Sequence, residues 1–178
     1  MCLFPPFPAF SHTFQLLYDV ERSSHTVLST VPFGTKHTAA VQSLCSSRDR
    51  STVFSGGADR KVFQCDVETS QASLLHTFGE RVGSLSCNPV DNSLLLACLS
   101  ARDKQLALVD TRFGRVVANF GSDEKESLSR YIVPSWHRDG VHVACGSASP
   151  LVNVWDIRYV ALERPHQTIA MHSTRIIL

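Results

Sequence analysis

Three residues in the first half of the chain are of the types that do hydrolytic chemistry: His37, Ser55 and Asp59. A nucleophilic hydroxyl needs a base beside it and a carboxylate that orients the base. Their setting argues for another role. There is no Gly-x-Ser-x-Gly elbow, and Ser55-Gly56-Gly57 follows a strand-like run but leads into a turn, not a helix. Gly56-Gly57 also lacks the Gly-x-x-x-x-Gly-Lys spacing of a phosphate cradle. His76, His137, His142, His166 and His172 do not recur at metal-ligand spacing and read as isolated hydrogen-bonded or surface side chains. The cysteines (Cys2, Cys45, Cys65, Cys87, Cys98 and Cys145) form no Cys-x-x-Cys pair. Most lie in apolar runs as small hydrophobes, which predicts reduced thiols in an intracellular protein, cytoplasmic or nuclear. No catalytic residue, cofactor or metal ion is expected.

The elements that must position these residues repeat along the chain. Four short runs end in aspartate: Leu16-Leu17-Tyr18-Asp19, Val62-Phe63-Gln64-Cys65-Asp66, Leu106-Ala107-Leu108-Val109-Asp110 and Val152-Asn153-Val154-Trp155-Asp156. The aspartates lie 47, 44 and 46 residues apart, near the length of a four-stranded propeller blade with loop insertions. Alternating strands precede them at Ala40–Leu44, Val82–Ser86 and Tyr131–Trp136, and Arg175–Leu178 begins a fourth. Between these landmarks lie Thr52–Gly57, Leu94–Cys98 and Val141–Ser147, whose small final residues predict close backbone approach near a propeller axis. Outer strands are expected at Ser73–Phe78 and Arg115–Phe120, a polar loop at Gly121–Ser129, and turns at Gly56–Asp59, Asn88–Asn92 and His137–Gly140. The reading is all-β: about three full blades, at 37–78, 81–120 and 130–170, with partial blades at both ends of a 15–178 unit.

Each blade buries its sheet only against its neighbours, so three would leave faces bare. The sequence is therefore expected to be a fragment, a truncated gene model or a chain that needs a complementary segment. Residues 1–14 fit no blade landmark and read as a loop or atypical start. A basic n-region is missing there, and three prolines interrupt the apolar run.

The strings SGGADRKVFQCD, ARDKQLALVD and SASPLVNVWD resemble the signature stretch of WD-repeat proteins, a strand and tight turn followed by a strand ending in Trp-Asp. The resemblance runs from about Leu16 to Leu178 and implies a β-propeller. It also implies a structural role for His37, Ser55, Asp59, Asp66 and Asp103 as a hydrogen-bond network. Cys65 stands where the family has Trp. In the second blade Asp103 keeps the turn position while His and Trp are lost; in the third Trp155 remains and Ser149 replaces the turn Asp.

A second pattern points outward. Leu108-Val109-Asp110-Thr111-Arg112 and Val154-Trp155-Asp156-Ile157-Arg158 each carry arginine two residues after the blade aspartate, which predicts guanidinium groups on one rim of neighbouring blades. Such forks suit the carboxylates and carbonyls of a protein partner. The pattern resembles the Trp-Asp-x-Arg boxes of WD-repeat substrate receptors of cullin-four ubiquitin ligases. That resemblance implies that Asp110, Arg112, Trp155, Asp156 and Arg158 face the damaged-DNA-binding adaptor protein, although Val109 replaces Trp in the first box. The plainer alternative is that each arginine pairs with a neighbouring blade's carboxylate, in a general assembly scaffold of chromatin, RNA or trafficking complexes. With 17 basic against 16 acidic residues in 178, the net charge is +1, so no field draws nucleic acid. No run is long and apolar enough for a membrane helix, and no small-molecule substrate is expected.

Overall fold

The computed structural model describes residues 36–101, 104–121, 133–146, 151–159 and 165–170, and the backbone of strands at 15–18 and 27–31. Asp103, Ser149, His172, the 122–129 loop and the strand expected at Arg175–Leu178 lie outside the described residues.

Strands β1 (Gln15–Tyr18) and β2 (Val27–Val31) pair antiparallel. Three four-stranded antiparallel meanders follow. The first contains β3 (Val41–Ser46), β4 (Thr52–Gly57), β5 (Lys61–Asp66) and β6 (Ala72–Thr77). β7 (Val82–Cys87), β8 (Leu94–Leu99), β9 (Leu106–Asp110) and β10 (Arg115–Phe120) form the second. The third has β11 (Ser135–Trp136), β12 (His142–Gly146), β13 (Leu151–Asp156) and β14 (Gln167–Ala170). A single 3-10 turn, Ile157–Tyr159, is the only helical element among the described residues. Of the strand expected across Tyr131–Trp136, residues 131 and 132 lie outside the described residues; Ser135 and Trp136 pair with Ala144 and Val143, next to Pro134, which has no N–H to donate to a ladder.

Alternation explains the core. In β8 and β9 the side chains point to opposite faces in turn. Leu95, Ala97, Ala107 and Val109 pack with Phe54, Val62, Phe78, Val82 and Leu85 between the first and second sheets. Leu96, Cys98, Leu106 and Leu108 pack with Phe120, Val143, Cys145 and Trp155 between the second and third. A strand buried on both faces has no place for polar alternation, so these two read as nearly unbroken apolar runs. Leu95, Leu96 and Leu106 are fully buried, and each such burial contributes about 1.5–3 kcal/mol. By contrast β14 is exposed throughout.

Polar contacts lock neighbouring sheets in register. The Leu85 amide donates to Ser43 Oγ at 2.9 Å, and Trp136 Nε1 donates to the Ser86 carbonyl at 3.2 Å. Asn88 Nδ2 reaches the Gly140 carbonyl at 2.7 Å. Cys45 and Cys87 Sγ lie 3.3 Å apart between the first and second sheets. The small residue at Gly56 serves close approach in a way the sequence did not indicate. A Cβ there would stand 2.6 Å from Val82 Cγ1 and 3.1 Å from Leu85, so the space belongs to the next sheet's side chains and not to its backbone.

Candidate functional site

His37 precedes β3, Ser55 lies on β4, and Asp59 sits in the β4–β5 turn; folding the meander brings the three together. His37 Nε2 is 2.9 Å from Ser55 Oγ, and Nδ1 is 3.0 Å from Asp59. Asp59 also accepts the Thr38 amide at 2.9 Å and the Lys61 amide at 3.3 Å. Burial works to raise the Asp59 carboxyl, but the Thr38 amide, His37 and the Lys61 amide together outweigh it and hold the group below the usual carboxylate range. The His37 ring meets Phe63 edge-on with centroids 4.7 Å apart. A Cβ at Gly57 would fall 2.7 Å from both Asp59 Oδ1 and His37 Nδ1, so this glycine makes room for the pair. The imidazole is spent on both nitrogens and the His37 and Asp59 side chains are almost wholly buried. Such an arrangement clamps a turn onto a strand; it offers no open face where a substrate carbonyl could meet Ser55.

Asp66 stands apart from this network. It lies at the exposed end of β5 and accepts the Thr69 amide at 2.7 Å and the Thr69 hydroxyl at 2.8 Å.

The corresponding aspartates of the second and third sheets are different. Asp110 pairs with Leu94 and Asp156 with His142 in their ladders, as Asp66 pairs with Thr52, so all three end the third strand on one rim. Arg112 closes a two-point fork on Asp110, with Nε to Oδ1 at 3.1 Å and Nη2 to Oδ2 at 2.8 Å. Arg158 does the same on Asp156, at 3.0 and 2.6 Å. Each arginine thus pairs within its own blade, which corrects the expectation of a cross-blade carboxylate. The Arg112 and Arg158 amides each also donate to the same aspartate at 3.0 Å. The Arg112 fork keeps Asp110 below its ordinary range; Arg158 lowers Asp156 to about 2. The carboxylates are buried, while the arginine side chains are 65% and 63% exposed. A guanidinium held at its Nε edge and open at its other end is a preorganised donor.

Sequence reasoning missed the residue after each arginine. Phe113 is 67% and Tyr159 57% exposed. Arg112 and Arg115 flank the Phe113 ring at 5.4 and 5.2 Å, and Arg158 lies 5.8 Å from the Tyr159 centroid. The repeated unit is therefore Asp-x-Arg-aromatic, visible in the sequence as Asp110–Phe113 and Asp156–Tyr159 once the two boxes are aligned. Trp155 does not reach this surface: it is buried against Phe120 between the second and third sheets.

Among the described residues no helix is long and apolar enough to cross a membrane. The family model for the WD domain, G-beta repeat, matches residues 27–66. The chain is 26% identical over 128 residues to the autophagic-related protein 16.2 of Caenorhabditis elegans, covering 72% of this chain and 23% of that protein. It is 23% identical over 120 residues to the U3 small nucleolar RNA-associated protein 4 homolog of Homo sapiens, covering 67% and 16%. The chain thus spans less than a quarter of the length of either relative. The β-propeller domain of Cps50 (Swd1) from Myceliophteria thermophila superposes with a TM-score of 0.72 at 18% identity, over 92% of this chain and 50% of that domain's chain.

Proposed function

We propose that this chain, built of WD repeats folded as blades of a β-propeller, acts as a protein–protein interaction scaffold that engages its partner through the Asp-x-Arg-aromatic corners of the second and third blades. The observation that carries the reading is the pair of forked guanidinium groups, each anchored to a buried carboxylate and flanked by an exposed ring. Anchoring removes most of the entropic cost of ordering a long side chain on binding, and arginine with an aromatic neighbour is the composition of interface hot spots. The partner surface it suits carries carboxylates or free carbonyls beside an apolar spot. In its most specific form this partner is the damaged-DNA-binding adaptor of cullin-four ubiquitin ligases, which makes the protein a substrate receptor.

The relatives support a broader second reading. One bears an autophagy name and the other a small nucleolar RNA name, so what they share with this chain is the repeat and not one pathway. A general assembly scaffold fits that spread. The double variant Arg112→Ala/Arg158→Ala separates the readings in a pull-down with purified adaptor. Loss of capture by a folded variant supports the receptor. Equal capture by variant and parent overturns the rim as the contact, and absence of capture by the parent leaves the general scaffold.

A further inference from the structure

Related aspartate-bearing turns close the first hairpin of all three blades, the second longer by one residue. Their backbone bonds are Ser47 N to Thr52 O at 2.8 Å, Asn88 N to Leu94 O at 3.0 Å and His137 N to His142 O at 2.8 Å. An aspartate organises each turn by accepting the amide two residues on: Asp49 from Ser51, Asp91 from Ser93 and Asp139 from Val141. The turn therefore needs its aspartate but not histidine, since the first blade closes it with Ser47 and Thr52 and the second with Asn88 and Leu94. Only the third places imidazoles at both closing positions.

Those two rings converge on one atom. His137 Nδ1 lies 3.0 Å and His142 Nδ1 2.7 Å from Asp139 Oδ2, and the three donor atoms all fall within 4.8 Å of one another. The other nitrogen of His142, Nε2, faces Asp156 Oδ2 at 3.8 Å. A metal-ligating histidine commonly directs its second nitrogen at a carboxylate, which orients the ring and raises its basicity. Asp156 is itself fixed by the Arg158 fork. The turn beneath is closely packed against the second sheet: Gly140 has φ +70°, its carbonyl accepts Asn88 Nδ2, and a Cβ there would stand 2.5 Å from Asn88 Oδ1.

We propose that His137, Asp139 and His142 form a binding site for a divalent first-row transition ion of the zinc class, with the buried Asp156 carboxylate 3.8 Å from the outer nitrogen of His142. Two imidazoles and one carboxylate are the donor set such ions accept, and oxygen-seeking calcium or magnesium would not select it. Three protein ligands leave coordination positions open to solvent, where a donor from a bound partner can enter. Chain spacing hid the site, because His137-x-Asp139-x-x-His142 matches no common ligand pattern and convergence depends on the turn.

Titration of the full chain with cobalt(II) chloride, followed by visible d–d absorption and competed with zinc(II), tests the proposal. A single equivalent that zinc displaces, with affinity reduced about tenfold or more in both His137→Gln and His142→Gln but unchanged in His76→Gln, supports it. Both tested rings are partly exposed surface groups, and circular dichroism checks that the variants keep the parent fold. Binding that survives both substitutions, or that saturates only at millimolar ion, overturns it.

Discussion

The first and third sheets share one register yet keep opposite halves of one device. Three residues along from the position facing the terminal aspartate, the second strand carries Ser55 in the first sheet and Cys145 in the third. The residue before that aspartate is Cys65 in the first and Trp155 in the third. The first sheet thus has hydroxyl, imidazole and carboxylate joined by hydrogen bonds, and no indole N–H to donate to the hydroxyl oxygen. The third has the indole and no hydroxyl, and Trp155 Nε1 is buried with no acceptor among the described residues. The second has Ala97 and Val109 and makes neither half. Apolar burial on both faces holds it instead. A blade can lose polar stitching when its neighbours cover it.

Removing the stitch where its hydrogen bonds are made has the largest expected effect. His37→Ala leaves Asp59 and Ser55 without their shared partner inside a buried cluster, and is expected to cost about 3 kcal/mol, measured as the shift in urea-unfolding free energy. A loss below about 1 kcal/mol would mean that packing, not the network, holds the turn.

The comparison also has a pH signature. Asp59 and Asp156 both titrate lower folded than unfolded, Asp156 at about 2, against about 3.9 for a free aspartate. The unfolded chain therefore binds more protons as pH falls, and the stability these groups supply is complete above about pH 4 and lost on descending through the folded values. Urea midpoints collected from pH 5 to about 2 should fall for the parent. They should fall less steeply in His37→Ala, through Asp59, and in Arg158→Ala, through Asp156.

The smallest expected effect is a gain. Cys145→Ser places a hydroxyl one strand from Trp155 Nε1 and is expected to change stability by less than about 1 kcal/mol, in the favourable direction if the bond forms. Indole Nε1 proton shifts in NMR spectra of the two proteins read that bond directly.

How much of this was legible from the chain depends on whether the signal was local. Asp66, Asp110 and Asp156 end strands of apolar periodicity, so the blades could be read from spacing. His37, Ser55 and Asp59 were legible through a motif and came together as a structural cluster. The arginine rim was legible too, but its pairing was not, because whether a guanidinium folds back or reaches across depends on strand-end geometry. Phe113 and Tyr159 look like ordinary core residues in one dimension; only a turn that ends the strand beforehand turns them outward. His137 and His142 were read as isolated because a hairpin, not a sequence interval, brings them together.

The double-sided burial of β8 and β9 carries a consequence for motion. In a stack where each sheet meets only its neighbours, opening is nearest-neighbour and starts where least surface must be exposed. Amide exchange should be slowest in Leu94–Leu99 and Leu106–Asp110, and fast in Gln167–Ala170. The Asp110 corner thus sits on the sheet that is packed on both faces among the described residues. A partner gripping Arg112 would hold that sheet, and one gripping Arg158 would hold a sheet whose outer strand is exposed.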